Sequence, residues 1–402
     1  MKTLVPLDDL AHIIDILAVK PDNQSLRELS RTCKFMVPLC RRHLFSSVRL
    51  RSNSNTPKQI GLVHFLSGSP DVACRIKKLS YIVKPHAPSS RQIIDILEVL
   101  RSQSTSLQSV SLSSESVRCS DWNALQEPTK SLLISLMQLP TVTHLQLRYL
   151  KNFPLVALSL CSNLADISVH NVFEAPSSSY ADQIITRSKV PTPVSLRIGD
   201  FNFAISVLMR PPGPNIIDPI IDFSCLENAS FNICVASDAS QMAEILKMVT
   251  RLRTLIIDYE DPLQLAGLGS SLATNAYQTL KSVILYLNVD REHFDPLCGL
   301  TLALRQLSGH NVLEELDVSV LVETDEPCRT DSDDWSDLDT VLTDQSAFRM
   351  LRRVTVKLLW YSYQRDEVQV ADLLHKLTAD RFPRLLESSA VQFVFNEEHT
   401  YI

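Results

Sequence analysis

A six-residue pattern of apolar positions recurs along most of the chain. It has the form Leu-x-x-Leu-x-Leu, with other apolar residues at some of the leucine positions. Copies begin at Ile76, Leu107, Val142, Leu164, Leu226, Leu252, Leu280, Leu313 and Leu351. Clear neighbours are separated by 22 (142 to 164) to 38 (313 to 351) residues, except for the interval of 62 between 164 and 226. The alternation predicts a strand with one buried face in each copy. The imperfect segment 193–198 fills the long interval after residue 164. Repetition of such a unit predicts a degenerate leucine-rich array.

Amphipathic helices are predicted between these strands. One helical face carries Ile93, Ile94, Leu97 and Leu100, and another carries Met242, Ile245, Leu246 and Val249. Strand and helix alternating in one direction predict an α/β fold with parallel strands inside and helices outside. We therefore expect residues 51–402 to form an irregular leucine-rich-repeat solenoid with an open concave sheet face. The alternative is an ordinary doubly wound α/β domain.

The x positions of the pattern are mostly polar or charged. In a solenoid they point to the concave face, where they form either a solvated sheet surface or a surface that binds a cargo protein. In an adaptor protein both descriptions hold. The candidate cargo face consists of His144, Gln146, Arg253, Lys281, Glu315, Asp317 and Arg353.

The first fifty residues have a different pattern, which predicts three short amphipathic helices. The spacing of the first helix places five apolar residues on one face, namely Leu7, Leu10, Ile13, Ile14 and Leu17. A second helix contains Leu26 and Leu29, a third spans about residues 36–43, and residues 48–50 are strand-like. Helices this small are not comfortably stable alone. They form either a cap on the array or a docking module that a partner completes.

The N-terminal segment resembles an F-box. Residues 4–17, Leu-Val-Pro-Leu-Asp-Asp-Leu-Ala-His-Ile-Ile-Asp-Ile-Leu, are similar to the opening of that family, a proline followed by a helix of the form "elL..Ii..L". Residues 25–35 resemble its second helix, and residues 42–50 resemble the "r.hLF..i.l" ending of F-box-like proteins in basidiomycete fungi. Two positions depart from the family pattern: Val5 stands where leucine is usual, and Phe35 stands where many members have tryptophan.

The resemblance implies a substrate-recognition subunit of a Skp1–cullin–F-box ubiquitin ligase, with residues 1–50 as the F-box-like domain. It implies Skp1 contacts through Pro6, Leu7, Leu10, Ile14, Leu17, Leu26 and Leu29. The array would bind an unknown target protein, and Skp1 would connect the chain to cullin. Two other hypotheses remain open. One is a leucine-rich scaffold that residues 1–50 merely cap, and the other is an enzyme with an unrecognised site.

Motifs for catalysis or cofactor binding are missing from the sequence. It has only eight glycines and no Gly-x-Gly-x-x-Gly or Walker-type loop, and it lacks His-Glu-x-x-His and Gly-x-Ser-x-Gly. Its nine cysteines include no Cys-x-x-Cys pair, and we expect them to be buried and structural. We expect a protein without enzymatic activity, cofactor or metal. The net charge of −6 argues against nucleic acid as a partner.

Two segments interrupt the array, and no targeting segment is evident. Residues 210–214, Arg-Pro-Pro-Gly-Pro, predict a rigid turn. Residues 323–339 carry eight acidic side chains against one arginine, which predicts a solvated, mobile acidic loop. No secretory or membrane-spanning segment is recognised, so we expect a cytoplasmic or nuclear protein without membrane contact.

Overall fold

The structure of the protein is a computed structural model. It describes residues 7–19, 23–52, 57–84, 90–174, 189–199, 204–209, 219–259, 265, 267–289, 297, 299–309, 311–323, 333–362 and 376–401. The predicted turn at residues 210–214 therefore lies outside the described residues.

Helices and strands alternate along the described chain. The helices are α1 Leu7–Val19, α2 Asn23–Thr32, α3 Met36–Leu44, α4 Pro57–Gly68, α5 Pro70–Ala73, α6 Arg91–Gln103, α7 Glu127–Met137, α8 Ala204–Leu208, α9 Ala236–Met248, α10 Leu268–Asn275, α11 Leu300–Leu307, α12 Asp333–Thr343 and α13 Pro383–Glu387. Residues 376–381 are also helical. The strands are β1 Ser47–Arg51, β2 Lys78–Val83, β3 Ser109–Ser114, β4 Ser120–Asp121, β5 His144–Phe153, β6 Asp166–Glu174, β7 Ser195–Gly199, β8 Asn228–Ile233, β9 Thr254–Tyr259, β10 Ser282–Val289, β11 Glu315–Glu323, β12 Arg353–Ser362 and β13 Gln392–Tyr401.

The chain divides into two compact units. The first contains Met1–Leu164 and Val172–Pro191, and the second contains Ala165–Asn171 and Thr192–Ile402. In the first unit β1, β2, β3 and β5 pair in that order, and β4 pairs with β5. In the second unit the strands from β6 to β13 pair in sequence order. Every one of these pairings is parallel.

Strand order decides between the two predicted architectures. A doubly wound sheet reverses its strand order at a switch point, whereas the strands of both units follow the order of the sequence. The α/β class and the parallel strands are confirmed, and each unit fits a solenoid-like arrangement. The predicted boundary near residue 50 falls inside β1, because this strand already pairs with β2.

The apolar positions of the recurring pattern form the core. All three positions in each of the nine copies are at most 5% exposed. The imperfect segment also forms a strand, β7, in which Leu196 and Ile198 are buried. Side chains alternate between the two faces of a strand, so the fourth and sixth positions of each copy point together toward the helices. The predicted strand pattern is therefore correct along the described array.

A main-chain contact recurs at the start of the strands. The carbonyl of Glu227 accepts hydrogen bonds from the amides of Arg253 at 2.8 Å and Thr254 at 3.0 Å. One repeat later, the carbonyl of Arg253 accepts from Lys281 at 2.9 Å and Ser282 at 3.0 Å. The same double acceptance occurs at the carbonyls of Ser46, Lys77, Gln108, Ala165, Val194, Lys281 and Glu314. Adjacent strands are thus aligned at their first residues by the backbone alone.

The helices cover one face of the strands. In the second unit α9, α10, α11, α12 and α13 pack against each other in sequence order. In the first unit α6 packs against α4, α5 and α7 and buries Ile93, Ile96, Leu97 and Leu100. The predicted apolar face of α6 is thus correct except at Ile94, which is half-buried while Ile96 takes the inward position.

The predicted acidic loop at residues 323–339 is wrong in its second half. Glu323 ends β11, residues 324–332 lie outside the described residues, and Asp333 begins helix α12. The error arose from counting charges, because the segment also contains apolar residues at helical spacing. Trp335 and Leu338 are buried, and the Trp335 ring meets the Phe382 ring edge-on with centroids 5.9 Å apart.

One carboxylate of α12 holds the start of α13. Asp339 is 2% exposed, and its two oxygens accept from the backbone amides of Arg384 at 3.1 Å and Leu385 at 2.8 Å. The first amides of a helix have no partner within the helix, and a carboxylate satisfies them while it complements the helix dipole. Asp339 therefore joins two helices that are distant in sequence.

Replacing Asp339 with alanine should lower the free energy of unfolding by about 2–3 kcal/mol. The two amides of α13 would lose a charged acceptor in a buried place. Urea unfolding followed by far-ultraviolet circular dichroism measures this loss. The matched control is Asp337→Ala, which removes an exposed ion pair with Arg305 (2.9 Å) and should cost less than ~1 kcal/mol. Equal losses in both variants would contradict this role of Asp339.

Candidate interaction surfaces

The face of the strands that points away from the helices is open. The predicted cargo residues occupy this open face or the strand starts beside it, and all of them are exposed or half-buried. His144 and Gln146 belong to β5 in the first unit, whereas Arg253, Lys281, Glu315, Asp317 and Arg353 belong to the second. Within the second unit Glu315 and Arg353 are cross-strand neighbours on β11 and β12. The predicted residues are therefore distributed over the two units.

Two cations at the strand starts of the second unit, Arg253 and Lys281, are paired with acids. Lys281 Nζ lies 2.8 Å from Glu314 Oε1, and Arg253 Nη1 lies 3.6 Å from Glu227 Oε2. The hydrogen bond from Lys281 is the main reason that the pKa of Glu314 lies below its usual value. On the open face itself, Lys357 Nζ contacts Glu398 Oε1 at 3.0 Å. This part of the surface presents charges that largely neutralise each other.

A shallow depression of about 310 Å³ lies on the open face of the second unit. Its lining combines aliphatic, aromatic and polar side chains, among them Asp258, Tyr286, Asn288, Ser319, Leu321 and Leu359. The described lining includes no His, Cys or Lys. Sequence reasoning missed these residues because it ended each strand at the sixth position. The signal was present, since the alternation continues through Val320 and Leu358.

The open face of the first unit is basic. It carries the cationic side chains of Arg49, Arg51, Lys78, Lys84 and Arg148, and Lys77 lies at the strand start beside them; we call these six residues the basic face. Strands β1, β2, β3 and β5 contain no acidic residue. Sequence reasoning missed this surface because it did not count β1 as a copy of the pattern.

One carboxylate lies beside the basic face. Glu115 Oε2 is 2.8 Å from Lys84 Nζ, and Glu115 Oε1 is 3.6 Å from Arg51 Nη1. The hydrogen bond from Lys84 is the largest influence on the pKa of Glu115 and holds it below its usual value. This pair shows that the face accepts a carboxylate between two strands.

A side-chain network orients Arg148. With the Gln146 amide turned so that its oxygen faces the guanidinium, that oxygen accepts from Arg148 Nη2 at 2.8 Å and Nε at 3.0 Å. In the same orientation the amide nitrogen donates to Ser111 Oγ at 3.0 Å. The orientation follows from the donors and acceptors that surround the amide. Gln146, a predicted cargo residue, thus positions a guanidinium that the prediction did not include.

The three N-terminal helices have their own small core. It consists of the buried residues Ile14, Leu26, Met36 and Cys40, against which Leu10, Leu17, Leu29, Leu39 and Leu44 are partly buried. Among the predicted Skp1 contacts, Ile14 and Leu26 therefore hold the helices together, and Leu10, Leu17 and Leu29 reach the surface in part. Pro6 lies outside the described residues. Leu7 begins α1, and its side chain is likewise not among those described.

Three large apolar side chains of the N-terminal helices and the turn between α2 and α3 are exposed. Ile13 and Ile16, one helical turn apart on α1, are 47% and 51% exposed, and Phe35 is 47% exposed. The prediction that Ile13 shares the buried face is wrong. Successive helical residues are rotated by about 100°, so when Ile14 points into the core Ile13 turns outward. The buried stripe of α1 is narrower than the pattern suggested, and the exposed apolar surface is larger.

An ion-pair cluster connects α1 to α3. The Asp15 carboxylate lies 2.5 Å from Arg42 Nη2 and 2.9 Å from His43 Nε2. Partial loss of solvent raises the pKa of Asp15, but the hydrogen bonds and charges of Arg42 and His43 outweigh it, so this pKa lies below its usual value. The cluster fixes the angle at which the apolar residues of α1 are displayed.

Comparison with known proteins does not place the chain in a family. No protein-family model matches it, and no curated protein matches it.

Three further observations on the described residues concern membrane-spanning helices, metal-ligating groups and cysteines. Among them no helix has the length and apolar character that crossing a bilayer requires, and no group of three metal-ligating side chains is assembled. The expectation that every cysteine is buried is wrong, because Cys33 is exposed, whereas Cys40 and Cys161 are buried. Burial raises the pKa of the Cys161 thiol to about 12, which keeps it protonated and unreactive.

Replacing Asp15 with asparagine should destabilise the folded state at pH 7 by less than ~1 kcal/mol, because the pair is half-exposed. The folded pKa of Asp15 is lowered, so its contribution is complete above the unfolded value of about 3.9 and is lost as the pH falls through the folded pKa. Urea unfolding of both proteins at pH 7 and about pH 3 tests this. The control is Glu98→Gln on α6, since Glu98 forms no ion pair among the described residues. A difference that persists at low pH would contradict the assignment.

Proposed function

We propose that this protein is the substrate-recognition subunit of a Skp1–cullin–F-box ubiquitin ligase. The N-terminal helices bind Skp1, which connects the chain to cullin, and the open face of the strand array binds a target protein. The protein performs no bond chemistry of its own. It raises the effective concentration of the target near the enzyme that transfers ubiquitin. Its place of action is the cytoplasm or the nucleus.

The observation that carries this proposal is the apolar surface of the N-terminal helices. A single exposed apolar side chain is ordinary, but Ile13, Ile16 and Phe35 expose about half of their surface within one small module. Ile13 and Ile16 lie on the same side of α1, which is the arrangement by which a helix contacts an apolar groove. The F-box resemblance of residues 4–50 names the groove as that of Skp1.

The arrangement of the core also supports a docking role. Ile14, Leu26, Met36 and Cys40 give the three helices an apolar centre of their own. The exposed apolar residues are therefore not needed to hold the helices together. A surface of this kind gains stability from a partner, at roughly 25 cal/mol for each Å² of apolar area removed from water.

A second candidate function is a leucine-rich scaffold whose N-terminal helices only cap the array. One contact favours it: the Phe45 ring after α3 packs on the Phe65 ring of α4 with centroids 5.2 Å apart. Strand β1 then follows at once and pairs with β2. Covering the end of an array stabilises it by the same apolar burial that a partner would provide.

Skp1 binding by the full-length chain separates the two functions. Ile16→Asp and Phe35→Asp, tested singly, should each weaken binding about thirtyfold, as expected for an apolar anchor at an interface. Titration calorimetry or biolayer interferometry with purified Skp1 measures the affinity. The matched control is Val117→Asp, because Val117 is 77% exposed in a turn of the same unit that lies outside the helices.

Thermal unfolding completes the test. Ile16→Asp should leave the melting temperature close to that of the unmodified chain, because a half-exposed side chain carries little of the core. Ile14→Asp should abolish Skp1 binding and lower the melting temperature together, since it buries a charge. A full-length chain that is folded and does not bind Skp1 would reject the ligase function and leave the scaffold.

A further inference from the structure

The charge of the basic face opposes that of the chain as a whole. The chain has a net charge of −6, yet the basic face gathers six cations, and strands β1, β2, β3 and β5 contain no acidic residue. Charges of one sign on one surface create a local potential that attracts the opposite charge. The surface therefore selects a partner by charge, independently of the overall charge of the protein.

Four of the six cations are available to a partner. Arg51 and Lys84 share Glu115, but no acidic side chain among the described residues pairs with Arg49, Lys77, Lys78 or Arg148. In the second unit, by contrast, Arg253 and Lys281 already have acidic partners within 4 Å. An unpaired cation gives its whole attraction to a ligand, whereas a paired one must first give up its own partner.

The strand register arranges these cations in rows. Arg49 of β1 aligns through Ser80 of β2 with Ser111 and then with Gln146. The next row runs from Arg51 through Ile82, which is buried, and Ser113 to Arg148. Adjacent strands lie about 4.8 Å apart, so the three steps from β1 to β5 cover about 14 Å, which is the length of about four extended residues. The first row has a cation at one end and Gln146 at the other, with two serines between them, and the second row has a cation at each end, with Ser113 between them.

The chemistry of the rows fits a carboxylate-bearing peptide. A guanidinium donates two parallel hydrogen bonds to a carboxylate. Gln146, itself held by Ser111, positions the guanidinium of Arg148 before a ligand arrives. Serine hydroxyls can both donate to and accept from peptide groups. These rows contain no Phe, Tyr or Trp, whereas single-stranded nucleic acids are bound by aromatic side chains on which the bases stack.

We propose that the basic face binds an extended, Asp- and Glu-rich segment of a partner protein, which crosses strands β1, β2, β3 and β5. Carboxylates of the segment pair with Arg49, Lys78 and Arg148, and its backbone contacts the serine hydroxyls between them. The assignment of this segment to the ubiquitination target rests on the proposed function. The binding itself does not depend on that function.

Fluorescence anisotropy with the full-length chain tests the inference. The probe is a fluorescein-labelled peptide of alternating Glu and Gly, and its neutral counterpart contains Gln in place of Glu. The acidic peptide should bind saturably, and the neutral one should not. Binding should weaken as NaCl is raised from about 0.05 M to about 0.5 M, because salt screens exposed charges.

Charge reversal on the basic face should weaken the acidic peptide roughly tenfold or more, because two attractions become repulsions. The variant is the double substitution Arg49→Glu and Lys78→Glu. Its matched control is Arg91→Glu with Arg101→Glu, which makes the same charge change at exposed positions of α6. A milder variant, Arg148→Gln, should also weaken binding and does not introduce a negative charge.

Several results would overturn the inference. These are equal affinity for the acidic and neutral peptides, equal loss in the α6 control, or tighter binding of a single-stranded oligonucleotide than of the acidic peptide. Skp1 affinity, measured in parallel, should be unchanged by the basic-face variants. Peptide binding without Skp1 binding would retain the basic face and reject the ligase function. Skp1 binding without peptide binding would retain the ligase function and reject the basic face as a peptide-binding surface.

Discussion

The alignment of neighbouring strands by one shared carbonyl is the interaction on which the rest of the structure depends. At the start of the strands, the carbonyl that follows the first apolar position accepts two successive amides from the next repeat. Backbone groups make this contact, so any side chain can occupy the position, as Glu227, Arg253 and Lys281 illustrate. Once the first residues are aligned, the apolar positions of adjacent strands coincide and bury together. Repeats of unequal length can therefore share one register.

This division between fixed and free positions connects the fold to binding. The inward positions are constrained by close packing, where even a small change of volume is felt. The outward positions carry no such constraint and can differ between repeats. The two units use this freedom differently, with unpaired cations from β1 to β5 and largely paired charges around β9 to β12. Recognition and folding thus rest on different residues of the same strands.

Much of the fold could be predicted from the sequence, because the buried face of each strand requires apolar residues at alternating positions and the sequence keeps that spacing. The nine copies, the parallel strands and the imperfect segment at β7 all follow from that spacing. Predictions failed where charge or spacing was judged without packing. Ile13 was assigned inward by spacing alone, and α12 was hidden by its acidic residues although Trp335 fills its core side. The basic face was not predicted, because β1 was not recognised as a copy of the pattern and the charges of these strands meet only through their register.

The last strand of the pairing order has a consequence for solubility. Among the described strands β13 comes last in the pairing order, and the outer edge of such a strand offers backbone groups to other molecules. Its second half carries Asn396, Glu397 and Glu398, all exposed. An incoming strand would have to desolvate these exposed polar and charged side chains, which disfavours growth of the sheet from one molecule to the next. The side chains at this edge thereby oppose pairing between two copies of the chain.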